Sequence, residues 1–323
     1  MKTLYILGNG FDIHHELDTR YQSFAKYLAE TNLDLYEQLQ SYYGLPDVTS
    51  PLLTDEEYAL WSRFEEALAD LDYEGVLEDF SDLIANPGAE DFRDRDWHSY
   101  QIQMELVIES LTKTLIRLFN NFILEVDYST IPAHKLIQLE EDSHFLSFNY
   151  TKTLHEVYDI HENRITYIHN KATNNDPSLI LGHGTDPSNF VVEEEKEPEG
   201  LTEEQSYEWR ERKGDEYDSS YESAKQEILT YYTKAFKNTS LIIQNNVAFF
   251  DSLSGVEKVI VLGHSLSPVD MKYIEKLKEN LSESVIWTVS FYGDLEKQKH
   301  LDVLTNLGID DTRIIQLQIS DLK

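Results

Sequence analysis

Cysteine is absent from this 323-residue chain, which excludes disulfides, a cysteine nucleophile and any cysteine-ligated zinc, and leaves His, Asp and Glu as the side chains able to hold a metal. Basic residues are scarce, with 27 Lys and Arg against 60 Asp and Glu and a net charge of −33. The acidic excess is spread over helical stretches and also gathered in one loop. Such a field repels polyphosphate backbones, so direct nucleic-acid binding is not expected and the charge reads as a solvated surface. No apolar run approaches the ~18 residues of a membrane span, and no cationic leader precedes a long apolar stretch. The expectation is a cytoplasmic protein that does not enter a membrane. A heptad repeat long enough for a coiled coil is also missing. The length allows a substantial core, arranged as one domain with a sizeable insertion.

What is present is concentrated at the start. Leu4-Tyr5-Ile6-Leu7 is an apolar run without alternation, and it opens directly onto Gly8-Asn9-Gly10-Phe11-Asp12. This reads as a buried parallel strand turning tightly into a helix, the place where α/β proteins hold phosphates or dinucleotides. Gly8 and Gly10 can take positive φ, and the first N–H groups of the following helix lack intrahelical partners, so a diphosphate would satisfy them. The third small residue of a full dinucleotide fingerprint is missing, because Ile13 stands in its place. The bland alternative is a plain tight turn.

Further along, a strand over about Thr3 to Leu7 is followed by a helix from near Ile13 and another after Thr19. Residues 33–131 read as a helical insertion, including a long helix from Ile102 to Val126, with Trp61, Phe64, Trp97, Phe119 and Phe122 assigned to the core. Strand character returns at His144 to Tyr150, with Thr151 as the N-cap of a helix through Leu154, Val157 and Tyr158. Two short strands follow, Arg164 to His169 and Ser178 to Leu181. Residues 187–220, with the run Glu193-Glu194-Glu195-Lys196-Glu197, read as an acidic surface loop or lid. A helix from Tyr221 to Leu253, a strand from Lys258 to Leu262, and strands from Ser284 to Tyr292 and Arg313 to Ile319 flanking a helix from Leu295 to Leu307 complete the chain. The pattern predicts a three-layer, mostly parallel, Rossmann-like α/β sheet formed by residues 1–32 and 132–323.

Several predicted strands end in small or polar residues, and in an open parallel sheet those ends share one edge. The positions are Gly8, Asn9, Gly10, Asp12, Asn149, His169, Gly182, His183, Gly184, Gly263, His264, Ser265 and Asp270. Convergence of this kind is what a ligand crevice at the carboxyl ends of strands requires.

The ordered motifs Gly8-Asn9-Gly10-Phe11-Asp12-Ile13-His14, Phe148-Asn149-Tyr150-Thr151-Lys152-Thr153-Leu154, Tyr167-Ile168-His169, Gly182-His183-Gly184 and Gly263-His264-Ser265-Leu266-Ser267-x-x-Asp270 resemble those of the AbiH family of bacterial abortive-infection proteins. The resemblance implies a role in defence against bacteriophage, with a phage-derived trigger or activating protein as partner. More distantly, the same motifs look like those of sirtuin-like NAD-binding proteins, many of which destroy NAD and assemble into homo-oligomers. That likeness implies NAD as substrate or ligand, Asn149 as the ribose-binding residue, His169 as the base, and Gly263 with Ser265 at the adenosine half. By the same motifs, Gly8, Asn9, Gly10, Phe11, Asp12, Thr151, Gly182, His183, His264 and Asp270 are nucleotide-binding candidates. Two departures stand out. Asn170 replaces the Gly that usually follows the His, which predicts a narrower pocket, and Thr151 replaces an Asp that would steady positive charge on the ribose. Without cysteine the zinc ribbon of true deacylases cannot form, which sets deacylation aside.

Three classes of function follow. The first is a nucleotide hydrolase resembling an NAD glycohydrolase, in which the site orients a ribose, places a water and offers a base with the ordinary histidine pKa near 6.5. The second is a metal-dependent nuclease or phosphohydrolase built on His14, His15, His183 and His264 with Asp12, Asp186 and Asp270; no metal-ligand spacing is present, and His14 and His15 point apart on a helix. The third is a non-catalytic sensor in which a bound nucleotide moves the helical insertion.

Overall fold

The apolar N-terminal run forms β1 (Thr3–Leu7), every residue of which is buried. It is the centre of a six-stranded parallel sheet with β2 (Ser143–Ser147), β3 (Ile165–Tyr167), β4 (Lys258–Leu262), β5 (Ile286–Ser290) and β6 (Ile314–Leu317), in the order β3-β2-β1-β4-β5-β6. This computed structural model describes residues 2–322 except 176, 177, 193–195 and 217, with the backbone alone at 214–216. Thr3 to Leu7 pair in register with Ser143 to Ser147 on one side and with Lys258 to Leu262 on the other. The alternation of side chains then sorts the two faces. Leu4, Ile6, Leu146, Val259 and Val261 enter one core, and Tyr5, Leu7, Phe145, Ile260 and Leu262 enter the other. Strands covered on both faces need apolar residues at every position, which is why the sequence shows runs without alternation. The expected three-layer α/β class is the observed one. Its strand order is that of the doubly wound dinucleotide-binding fold, with the switch point between β1 and β4.

A third core is helical. Helices Tyr21–Thr31, Leu33–Tyr43 and Ser99–Glu109 pack with Leu115–Leu124 and with Ser219–Leu229 from much later in the chain. Trp61, Phe64, Phe119 and Phe122 lie in this core as expected, each contributing about 2–3 kcal/mol by burial. Trp97 does not, being 38% exposed beside Phe92. The expected helix from Ile102 to Val126 is one rod interrupted by a wider π turn at Ser110–Thr114, where the Thr112 hydroxyl donates to the Ile108 carbonyl at 2.6 Å.

Other expectations change. The first helix is Asn9–His14, starting within the glycine turn and not at Ile13. No strand forms over Ser178 to Leu181; Leu179 and Leu181 are buried in the helical core, and His183 makes an isolated parallel bridge to Phe236. A short apolar run is equally satisfied by burial without a ladder. The helix expected from Tyr221 to Leu253 is four pieces, Ser219–Leu229, Tyr231–Lys234, Thr239–Asn245 and Val247–Asp251. It breaks because the chain turns inward at Ala235 to Lys237 and restarts with Asn238 accepting the Leu241 N–H at 3.0 Å. The acidic segment is not all loop, because Glu203–Glu216 is a helix. Glu193, Glu194 and Glu195 of its acidic run lie outside the described residues. Among the described residues no helix is long and apolar enough to cross a membrane.

Candidate ligand-binding cleft

At the switch point the turns after β1 and β4 cross in contact. A Cβ on Gly8 would sit 2.5 Å from His264 Cα, one on Gly10 would sit 2.7 Å from Gly263 Cα, and one on Gly263 would sit 2.1 Å from the Phe11 nitrogen. These glycines are required by close approach. Positive φ falls on Gly263 (+63°), whereas Gly8 is extended at −118° and Gly10 is helical. The Gly8 N–H donates to the Leu262 carbonyl at 3.0 Å, and the Gly10 N–H donates to the Gly263 carbonyl at 2.8 Å. Two of the amides expected to cradle a diphosphate, those of Gly8 and Gly10, are thus spent on joining the two turns. Asn9 is likewise committed, its amide donating to the Thr19 carbonyl at 3.0 Å and its Oδ1 accepting from the Thr19 hydroxyl at 2.6 Å.

Above these turns lies a cavity of about 1600 Å³, larger than the usual small-molecule site. It brings together Gly8, Asn9, Gly10, Asp12, Asn149, Thr151, His169, Gly263, His264, Ser265 and Asp270 from the carboxyl ends of β1, β2, β3 and β4. Its roof is helical, with Tyr21, Arg63, Glu65 and Phe119. Three candidates lie elsewhere. Phe11 is fully buried in the core on one sheet face, and Gly182 and His183 do not line the cavity.

One corner is built on Asp12, which is 1% exposed. Its Oδ1 accepts from the Thr153 hydroxyl at 2.6 Å, and its Oδ2 accepts from the Thr151 hydroxyl at 2.7 Å and from the Asn149 amide at 3.1 Å. Burial raises its pKa to about 6 against the lowering effect of these three donors. Thr151 thus does not cap a helix. The following helix is Thr153–Tyr158, and the Thr151 hydroxyl serves the carboxylate. An acidic group nonetheless stands at this position, because Asp12 comes from the turn after β1. Because the Asn149 amide must face a carboxylate, its Oδ1 faces the other way, buried and without a hydrogen-bond partner.

The other corner is built on Asp270. Its Oδ1 accepts from Lys237 Nζ at 3.0 Å, and Lys237, with a side chain 0% exposed, also donates to Glu65 at 2.7 Å. His169 Nε2 and His264 Nε2 each stand 3.7 Å from an Asp270 oxygen, too far for hydrogen bonds. Burial would raise the Asp270 carboxyl, but Lys237 and the two imidazoles outweigh it and hold it below the ordinary range. Burial pushes His264 down to about 4 and, with the Lys237 charge, pushes His169 well below the usual imidazole value. His264 Nδ1 accepts from the Leu266 N–H at 3.0 Å, which places the ring proton on Nε2. His169 Nε2 is buried and has no hydrogen-bond partner.

Lys237 and Glu65 carry this corner, and neither sits in a sequence motif. The signal available was the Asn238-Thr239 capping pair that breaks the long helix. Gly182 and His183 explain why the break is held: the His183 N–H donates to the Ala235 carbonyl at 3.1 Å and the Lys237 N–H to the His183 carbonyl at 2.8 Å. A Cβ on Gly182 would lie 2.1 Å from that Ala235 oxygen. The expected narrowing by Asn170 is also corrected. Asn170 adopts φ +63°, tolerated by Asn, and its amide donates to the Ser178 carbonyl at 2.6 Å outside the cavity lining. The histidines weighed for a metal are dispersed: His14 bonds the Lys135 carbonyl, His15 the Phe11 carbonyl, and His183 lies among aromatic rings. Among the described residues no group of three or more His, Asp or Glu is placed to hold a metal ion.

Fold and site together define a doubly wound α/β protein whose crevice, lined by buried carboxylates and imidazoles, opens at the switch point. The chain belongs to the AbiH family, described as bacteriophage abortive infection AbiH, whose model matches residues 4–291. Its role is accordingly in abortive infection, the arrest of phage-infected cells. No curated protein and no solved structure matches the chain.

Proposed function

We propose that this cleft binds a ribonucleotide, NAD being the favoured member, and hydrolyses its N-glycosidic bond as the effector step of abortive infection. The observation that carries the reading is the pair of buried acceptors, Asn149 Oδ1 and His169 Nε2, which lack protein partners in the cavity that Asp12 also lines. Leaving buried polar atoms unpaired costs about 1–3 kcal/mol each, and the hydroxyls of a ribose would satisfy both. The likeness of the ordered motifs to those of sirtuin-like NAD-binding proteins supports the choice of NAD.

In this reading Asn149 and His169 orient the ribose. The bond from C1′ to the nicotinamide nitrogen breaks with its electron pair passing to the ring, which leaves uncharged. The Asp12 carboxylate faces the positive charge that grows on the ribose. Water adds to C1′, and its proton passes to Asp12 and then to solvent. An acid with pKa about 6 suits that task better than His169, whose burial makes it a weak base. The test is nicotinamide release from NAD by the purified chain, with toxicity in growing cells followed in parallel. Asp12→Asn and Asn149→Ala are expected to reduce turnover by 100-fold or more, on the order of one positioned group's contribution; release unaffected by both changes overturns the reading. The roof residues Tyr21, Arg63 and Glu65 would also touch a ligand, which favours a second reading as a non-catalytic nucleotide sensor. That reading predicts saturable binding without turnover.

A further inference from the structure

Lys237 is a fully buried ammonium far from any motif, and it joins three separate stretches of the chain. It follows the helix Tyr231–Lys234, meets Glu65 in the short helix Phe64–Ala67 of the roof, and meets Asp270 beyond the end of β4. The backbone that presents it is fixed by the His183 bridge and by the contact that forbids a side chain at Gly182. Desolvating such a charge is unfavourable before any attraction is counted, so a group of this kind is tolerated only when its partners are well arranged.

Its consequence lies one contact away. Asp270 stands between His169 and His264, and a carboxylate flanked by two imidazoles would ordinarily draw a proton onto one of them. The His264 ring already turns its Nε2 proton toward that carboxylate, because its Nδ1 is taken by the Leu266 N–H. His169 is the imidazole with a free Nε2. The other titratable or charged groups around His169 are Tyr150 beyond β2, whose ring is stacked at 6.2 Å, Tyr273 from the helix Met271–Asn280 at 5.5 Å, and Glu65 behind Lys237. None of them supplies a positive charge to Asp270.

We propose that Lys237 is the positioning residue of the cleft: its ammonium engages Asp270, so that His169 keeps an unprotonated Nε2 facing the cavity as an acceptor for a ligand hydroxyl. This role follows from the charge arrangement alone and stands whether or not NAD is the substrate. It also assigns Gly182-His183-Gly184 a purpose, since that segment fixes the main chain from which Lys237 projects.

The experiment is imidazole nitrogen NMR on the full chain across pH 5 to 8. In the unmodified protein His169 is expected to remain neutral throughout, with Nε2 unprotonated. In Lys237→Met the His169 midpoint is expected to rise above neutral pH, giving an imidazolium there, while Glu65→Gln alone leaves it neutral. Because Lys237→Met leaves two carboxylates unpaired, the double variant Glu65→Gln/Lys237→Met provides a second form in which only Asp270 lacks its cation. A neutral His169 in either folded variant, or an imidazolium at neutral pH in the unmodified chain, overturns the proposal. Loss of NAD turnover without these changes would instead bear on the reaction.

Discussion

Two aspartates face the same cavity and are driven in opposite directions. Asp12 is surrounded by neutral donors, two threonine hydroxyls and an amide, and burial lifts its pKa to about 6. Asp270, with a side chain 15% exposed, touches an ammonium and neighbours two imidazoles, which hold it ionised below the ordinary range against the effect of burial. Hydroxyls can follow either protonation state of a carboxyl, whereas a buried lysine enforces one. Asp12 is thus drawn toward its neutral form and Asp270 is fixed as a charge.

The same isosteric change should therefore act with opposite sign at the two positions. Asp270→Asn removes one of the two charged partners of Lys237, leaving the ammonium with Glu65 alone, and is expected to cost about 3–5 kcal/mol in urea unfolding at neutral pH. Asp12→Asn should be neutral or stabilising by up to about 3 kcal/mol at pH 7, because it removes a carboxyl whose ionised form is disfavoured by a raised pKa. A folded-state pKa lifted from 3.8 to about 6 contributes stability that is complete below the lower value and lost as pH rises through the upper one. The gain from Asp12→Asn should accordingly vanish near pH 4. Equal destabilisation at both sites would erase the contrast.

Acid should reveal the imidazole side of the comparison. His264 is depressed from 6.5 to about 4, so its neutral form contributes stability that is complete above the unfolded value and is lost as pH falls through the folded one. Urea midpoints should decline between pH 6.5 and 4, and more steeply in Asp12→Asn, where the opposing carboxyl contribution is gone. A flat profile in Asp12→Asn over that window would show that the imidazoles are not held neutral by burial. Smaller still, Thr153→Val removes one hydroxyl donor to Asp12 and should cost about 1–2 kcal/mol at pH 7 while raising the Asp12 midpoint, seen by carboxyl carbon NMR. An unchanged midpoint would mean that Thr153 does not serve the ionised form.

The division between these corners also explains what could be read from sequence. The sheet was legible because strands covered on both faces need continuous apolar runs such as Leu4 to Leu7 and Val259 to Leu262. Asp12, Asn149 and Thr151 were legible as candidates, since they follow closely on strand ends; the Thr153 donor and the use of the Thr151 hydroxyl were not. The use of the glycines was not, because a requirement for close approach and one for positive φ look identical until Gly263 is seen against Phe11. Lys237 was hidden for a different reason. Its partners lie 172 and 33 residues away, and a lone lysine beside a helix break carries no local pattern. Leu179 and Leu181 misled because burial under helices and burial in a sheet ask for the same side chains.

Calorimetric titration of ADP-ribose into the purified chain is the most direct trial of the cleft as a ribonucleotide site. Saturable binding weakened at least about tenfold by Asn149→Ala, and again by His169→Ala, corresponds to the loss of one hydrogen bond of roughly 1.4 kcal/mol each. No binding by the unmodified protein, or binding indifferent to both substitutions, would contradict it.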